Sequence, residues 1–226
     1  MRHLLLFISA LFAITMQAQT KYSLENKGGK YVCTGESDYT KETKNMFGGV
    51  VLWALEQTPA DSKQKMPILS CDVKTYTMTA RPLIQIGDYN YSVYLTIQLN
   101  NGKLQFLIDR IRCTPKNSIG GLGGVNLDKI NLAKRPQQQE HIDRFSAMCD
   151  GYVKKMLAEI QSKDMDLSHW DAISKGQVVK GMTEDECKLA VGNPMNVVEN
   201  AQRVQWTYAG GLIVVFEDGK ISGIVR

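Results

Sequence analysis

Tyr91-Ser92-Val93-Tyr94-Leu95-Thr96-Ile97-Gln98-Leu99-Asn100-Asn101-Gly102-Lys103-Leu104 is the stretch that decides the fold. Tyr91, Val93, Leu95, Ile97 and Leu99 alternate strictly with Ser92, Tyr94, Thr96, Gln98 and Asn100. Successive side chains of a strand point to opposite faces, so this pattern describes a strand with one face in a core and the other in water. Asn101-Gly102 suits the left-handed conformations of a two-residue hairpin turn. The return strand carries Leu104, Phe106 and Ile108, then changes phase to Ile111 and Cys113, which places a bulge near Asp109-Arg110. Upstream, Pro67 to Asp72 and Tyr76 to Ile86 read as extended, with a turn or bulge near Lys74. Four consecutive antiparallel strands therefore form one meander.

Working outward, Lys30-Tyr31-Val32-Cys33 is a short apolar strand. A helix is predicted from about Lys41 to Gln57, with Met46, Phe47, Val50, Ala54 and Leu55 on one face. Gly48-Gly49 inside it costs about 1 kcal/mol each against alanine, tolerable where the bare backbone lets the helix lie close on a sheet. Thr114 to Arg135 is irregular and holds Gly120-Gly121-Leu122-Gly123-Gly124. A long helix follows from about Gln137 to Ser162, striped by Ile142, Phe145, Cys149, Tyr152, Val153, Met156, Leu157 and Ile160. That stripe is wide enough to cover the open face of a sheet. The order β-α-β-β-β-β-α, with both helices on one face, predicts an α+β domain over residues 19–163.

Asp164 to Ser174 reads as a polar joint, and a second module spans residues 175–226. Thr183 and Glu186 form a capping box at a helix start. Gly192 supplies the left-handed cap and Pro194 stops the helix. Three strands follow: Val204-Trp206-Tyr208, Leu212 to Phe216, and Ile221 to Val225, with Asp218-Gly219 turning the last hairpin. Leu212 to Phe216 is apolar on both sides, so the strand needs two covers. A module of this size buries little surface alone. Its second face is expected to dock on the first module, on another chain or on a partner.

Met1-Arg2-His3, the apolar run Leu4 to Ile14 and the small or polar Thr15 to Gln19 follow the order of a secretory signal peptide cleaved after Ala18. The apolar run is shorter than the roughly 20 residues of a membrane-spanning helix. No cysteine follows it to take a lipid anchor. The expected location is periplasmic or secreted, with no membrane span. The chain carries a formal net charge of +4, too mild for a nucleic-acid or membrane-surface footprint. The five cysteines, Cys33, Cys71, Cys113, Cys149 and Cys187, are too widely spaced to define a framework. Most sit among apolar residues and read as small buried hydrophobes, with one or more bridges as the alternative.

Catalytic patterns are missing from the sequence. The mature chain has two histidines, His141 and His169. His141 lies two helical turns, about 12 Å, from Cys149, beyond the reach of a Cys–His pair. No cysteine or histidine pair has the spacing of a zinc site. Asp164-x-Asp166-x-Ser168 fails as a calcium loop, because His169 replaces the glycine and Lys175 the final acid. Gly120 to Gly124 lacks the Lys-Ser/Thr of a phosphate loop. No catalytic, metal or cofactor-binding residue is assigned, and no cofactor is expected. The aromatic residues Tyr94, Tyr91, Trp206 and Tyr208 form the candidate interaction surface, since such residues anchor interfaces. Tyr94 is the strongest of them, being on the polar face of its strand.

Lys180-Gly181-Met182-Thr183, Gly192-Asn193-Pro194, Trp206-Thr207-Tyr208 and Phe216-Glu217-Asp218-Gly219-Lys220 together resemble the outer-membrane assembly lipoprotein family SmpA or BamE, and the related repeats of β-lactamase inhibitory proteins. The resemblance implies a non-enzymatic module that binds other proteins. The chain departs from it in lacking an anchoring cysteine near its start. Thr40-Lys41-Glu42, Trp53-Ala54 and Asn101-Gly102-Lys103-Leu104 make the first module similar to a family of secreted Gram-negative proteins with a TATA-binding-protein-like fold. The expected function is thus an exported non-enzymatic protein that binds another envelope or secreted protein and no nucleic acid. The alternative is a small-ligand binder or enzyme whose site is assembled only in the fold. A third possibility is a structural role in which the odd cysteine bridges two chains.

Overall fold

The computed structural model describes residues 21–57, 68–118, 123–165, 167–200 and 203–226. The expected signal peptide, residues 1–18, lies outside them. The first sheet is built from β1 (Glu25–Lys27), β2 (Lys30–Asp38), β3 (Ile68–Asp72), β4 (Thr77–Ala80), β5 (Leu83–Ile86), β6 (Tyr89–Asn100), β7 (Lys103–Pro115) and the short β8 (Val125–Asn126). Its order is β1-β2-β7-β6-β4-β3, all antiparallel, with β5 also on β6 and β8 on β7. The extended run expected from Tyr76 to Ile86 is broken at Arg81-Pro82, where proline cannot donate to a ladder. Both halves still lie along β6.

Asn101 and Gly102 take φ of 49° and 75°, which turns β6 into β7. The bulge falls where the phase change placed it. Ser92 pairs with Arg112 and Tyr94 with Asp109, leaving an extra residue in β7, and Arg110 is left-handed at φ 49°. The strand expected over Lys30 to Cys33 continues to Asp38 along β7. Its later residues are polar or glycine, with Thr34, Glu36 and Asp38 exposed and Gly35 and Ser37 on the helix side, so no apolar signal marks them.

Two helices, α1 (Thr43–Glu56) and α2 (Gln139–Ser162), pack on the sheet's apolar face. Ile142, Phe145, Cys149, Val153, Met156, Leu157 and Ile160 of α2 are buried with Val93, Leu95, Ile97, Leu104 and Ile108 of the sheet. Burying each large aliphatic or aromatic side chain contributes about 1.5–3 kcal/mol. The side chain of Trp53 on α1 donates from Nε1 to Glu159 on α2 at 3.0 Å. Lys41 donates its amine to the carbonyls of Gln161 and Lys163 at the end of α2.

The expectation of one apolar face on α1 is corrected: every residue from Met46 to Leu55 is buried. The reason is a second cover. The segment after α2 is not a polar joint, because Met165, Leu167 and Ile173 are buried. A Cβ on Gly48 would lie 2.8 Å from Leu167 Cδ1, and one on Gly49 3.2 Å from the Ile160 carbonyl. The glycines do admit close neighbours, but these are the returning chain at Gly48 and the end of α2 at Gly49, not the sheet.

The remaining elements are α3 (Trp170–Ile173), α4 (Glu184–Val191), β9 (Asn196–Asn200), β10 (Arg203–Thr207), β11 (Ile213–Glu217) and β12 (Lys220–Val225). The capping box at Thr183 and Glu186 is present, and Gly192 ends α4 at φ 84°. The sheet runs β12-β11-β10-β9, four antiparallel strands where three were expected. Residues Val214, Phe216, Trp206 and Ile221 form a second core with Met182, Cys187 and Leu52 of α1. Leu52 therefore belongs to that core, and Asn193 Nδ2 donates to the Leu55 carbonyl of α1 at 3.1 Å. The outer face of β11, Ile213 and Val215, is only half-buried, so the second cover expected for this strand is not supplied by the described residues.

Candidate functional site

Among the described residues no helix covers the outer face of the first sheet, which the alternation of β6 makes polar. Thr96 sits between Thr79 of β4 and Leu107 of β7, and Gln98 between Thr77 and Gln105. Thr34 and Glu36 of β2 extend the two rows. Thr79 and Thr96 share a hydrogen bond of 3.3 Å between their hydroxyls, and Lys103 pairs with Glu36. All of these side chains are exposed or half-exposed.

Tyr94 stands at one end of this face. The guanidinium of Arg110 lies 4.6 Å from its ring centroid, and that of Arg81 lies 5.7 Å away. Each contact is the attraction of a cation for the ring's negative face. Arg110 reaches the ring from the bulge, whose left-handed residue turns the side chain off the strand's ordinary alternation. Arg81 Nε donates to Ser92 Oγ at 3.1 Å, and Arg110 lies 3.7 Å from Asp109. The result is a held aromatic ring with two planar cations at its sides on an accessible sheet.

The other aromatic candidates are corrected by burial. Tyr91 is fully buried and Trp206 and Tyr208 are 3% and 7% exposed. Tyr91 alternates onto the helix side of β6 and packs on Phe145 at 5.3 Å. Trp206 packs on Phe216 at 4.6 Å between sheet and α4. These three serve the cores.

Two side-chain pairs were invisible in the sequence because they join distant elements. His141 does not approach Cys149 but meets Cys113 of β7, with Nδ1 3.6 Å from the sulfur. The Tyr89 ring lies edge-on to the imidazole at 5.3 Å, and Arg144 stacks on that tyrosine at 4.3 Å. Burial pushes the Cys113 thiol up, against the pull of the Tyr91 hydroxyl beside it. Burial, with that thiol next to it, also pushes the Tyr91 phenol well up. A sulfur 1% exposed and held protonated is a poor nucleophile. The pair has the geometry of a dyad without its reactivity.

Glu186 is the second case. Its carboxylate, 1% exposed, accepts from the backbone N–H groups of Thr183 and His169 at 3.0 and 2.9 Å, and lies 3.0 Å from His169 Nδ1. Burial alone would push it up. The N–H groups and the His169 side chain outweigh burial and hold it below the usual carboxylate range. The contact clamps the chain before α3 onto the start of α4.

A cleft of about 200 Å³ is lined by Asp38, Tyr39, Thr40, Lys41, Met46 and Gln161. It is smaller than the roughly 300–1,000 Å³ of ligand pockets, and the Lys41 amine is already committed to two carbonyls. Among the described residues no three His, Cys, Asp or Glu side chains converge to hold a metal ion. No helix among them is long and apolar enough to cross a membrane.

Neither a family model nor a curated protein matches the sequence. Among solved structures, the chain is similar to a DUF4468 family protein from Bacteroides ovatus, at 12% identity and a TM-score of 0.45, over 63% of this chain and 93% of that one. It is also similar to a TBP-like protein from Parabacteroides distasonis, at 10% identity and a TM-score of 0.49, over 62% of this chain and 99% of that one.

Proposed function

We propose that this is an exported, non-enzymatic binding protein, and that the open face of the first sheet around Tyr94 holds another envelope or secreted protein. The observation that carries this reading is the Tyr94 ring flanked by Arg81 and Arg110 on a face that none of the described helices covers. Tyrosine and arginine are the residue types that anchor protein interfaces, and here their geometry is set before any partner arrives. The signal-like start of the sequence supports the exported location. The same reading takes residues 175–226 as an SmpA/BamE-like module, the first module as TBP-like, and the boundary between them as residues 164–174. The modest net charge of +4 favours a protein over a nucleic acid as partner.

The test is crosslinking of the tagged protein in its native cell envelope, followed by identification of the captured chains. Reproducible enrichment of one envelope or secreted protein is expected, reduced at least tenfold by Tyr94→Ala or Arg110→Ala while the melting temperature stays within a few degrees. A blank at native expression, or capture unaffected by both substitutions, would overturn the assignment of this face.

A further inference from the structure

Three of the six large apolar side chains exposed among the described residues lie along one sheet edge: Met195, Val197 and Val198, at 75%, 45% and 44%. Met195 leads into β9, whose five residues are all exposed. On one side β9 pairs in unbroken register with β10, from Asn196 with Thr207 to Asn200 with Arg203. On the other side none of the described strands pairs with it. A free edge presents a row of unpaired N–H and C=O groups, which proteins guard with short strands, bulges, charges or a covering segment. The other sheet edges are guarded. β1 has three residues, and its Glu25 and Lys27 form an ion pair of 2.9 Å. β3 is bulged between Ile68 and Ser70. β12 is covered at its start, where the Gly181 N–H donates to the Ile221 carbonyl at 2.9 Å and the Ile221 N–H donates to the Met182 carbonyl at 2.8 Å. β9 has no bulge, no proline and no lysine, and Glu199 is its one charge.

We propose that β9 is the pairing surface for a second copy of this chain, joining two four-stranded sheets across a two-fold axis. The strand is complementary to itself. Antiparallel pairing centred on Val198 sets Asn196 opposite Asn200, Val197 opposite Glu199 and Val198 opposite its own mate, so all five residues are used. A slide of two residues in either direction leaves only three of the five paired. One of those slides also sets Glu199 against itself, where like charges repel. Charge favours the central register again. Val197 lies opposite Trp206 on the α4 side of the sheet, and the Lys188 amine lies 5.3 Å from the Trp206 ring centroid. Each copy's Glu199 therefore comes to lie beside the other copy's Val197, one strand away from that amine. The axis makes this attraction twice. Because the same edge serves both copies and β12 is covered, association stops at two. One strand pair is a small interface, which places the dimer among weak, reversible associations. The pairing belongs to the second sheet and does not rest on the binding role of Tyr94.

The test is sedimentation equilibrium of the purified protein, kept reduced, from about 1 μM to about 1 mM. A reversible monomer–dimer equilibrium with no larger species is expected, with a dissociation constant of roughly 10–500 μM. Val198→Lys sets two ammonium groups face to face at the axis and is expected to weaken the dimer about tenfold or more, with the monomer's melting temperature nearly unchanged. Glu199→Lys and Lys188→Glu are each expected to weaken it by about tenfold, and the two together to restore most of the affinity, because the exchanged charges attract again. A monomer at every concentration, a dimer untouched by Val198→Lys, or single charge changes that the exchange does not rescue would each overturn the pairing. Should Lys188→Glu fail to fold, Val198→Cys in a Cys71→Ser chain keeps the test. Mild oxidation is expected to link two copies through it, while Leu69→Cys on the edge of the first sheet, in the same background, stays unlinked. Absence of the first link, or equal linking of both, overturns the pairing as well.

Discussion

Tyr94 and Tyr91 stand on the same strand and end in opposite surroundings, because an odd separation in a strand changes the face. That much was legible, since Tyr94 alternates with the apolar residues and Tyr91 is one of them. The two arginines flanking Tyr94 were not, because one arrives from a bulge and the other from the break between β4 and β5. At Glu186 the capping box was written in the sequence, but the bonds from His169 come from a segment with no pattern of its own. Glu186→Ala is expected to cost about 2–4 kcal/mol, since it leaves buried N–H groups unpaired. Glu186→Gln, which keeps the acceptor and loses the charge, is expected to cost less; urea unfolding measures both. The carboxyl's folded value lies below its unfolded one, so its contribution is fully present above the unfolded value. That contribution drains as pH falls below the unfolded value of about 4.3 and through the lower folded one. Wild type is therefore expected to lose more stability than Glu186→Gln between pH 5 and pH 3, and parallel curves would sink the account.

Elements declared themselves in proportion to how much of their burial was one-sided. β6 and α2 each present one apolar face and one polar face, and both were legible almost to their ends. β9 was missed because all five of its residues are exposed, and asparagine and glutamate carry little strand preference. For α1 the helix was legible but its surroundings were not, because an apolar run does not reveal how many neighbours cover it. Its glycines permit a sharp comparison with the glycine of α2. A Cβ at Gly151 meets nothing within 4 Å, so Gly151→Ala is expected to stabilise by up to about 1 kcal/mol. Gly48→Val is expected to destabilise by about 1–3 kcal/mol, because its first carbon already presses on Leu167. Thermal melts of the two variants check both signs, and a stabilised Gly48→Val would show that the returning chain does not lie against α1.

The whole molecule is organised around α1, which contributes to both cores. Most of its buried residues belong with the first sheet, while Leu52 belongs with the second, and Asn193 holds the Leu55 carbonyl at its end. Unfolding is accordingly expected to be a single transition by calorimetry, with Leu52→Ala lowering the whole transition by about 2–4 kcal/mol. Two separated transitions, only one of them moved by Leu52→Ala, would show that the cores melt independently. The sequence indicated two groups of elements and left open what the second would dock on. The docking surface was hidden because Leu52, Gly48 and the Leu55 carbonyl lie in a run that already read as core. Doubly buried α1 also has a consequence for the ribosome. Glu56 ends the helix early in synthesis, but Val191, which ends α4, follows 135 residues later. At about 5–20 residues per second that is an interval of roughly 7 to 27 seconds. Through it, Leu52 has no finished pocket, so the nascent chain offers a sticky handle to whatever chaperone attends its synthesis until its final quarter emerges.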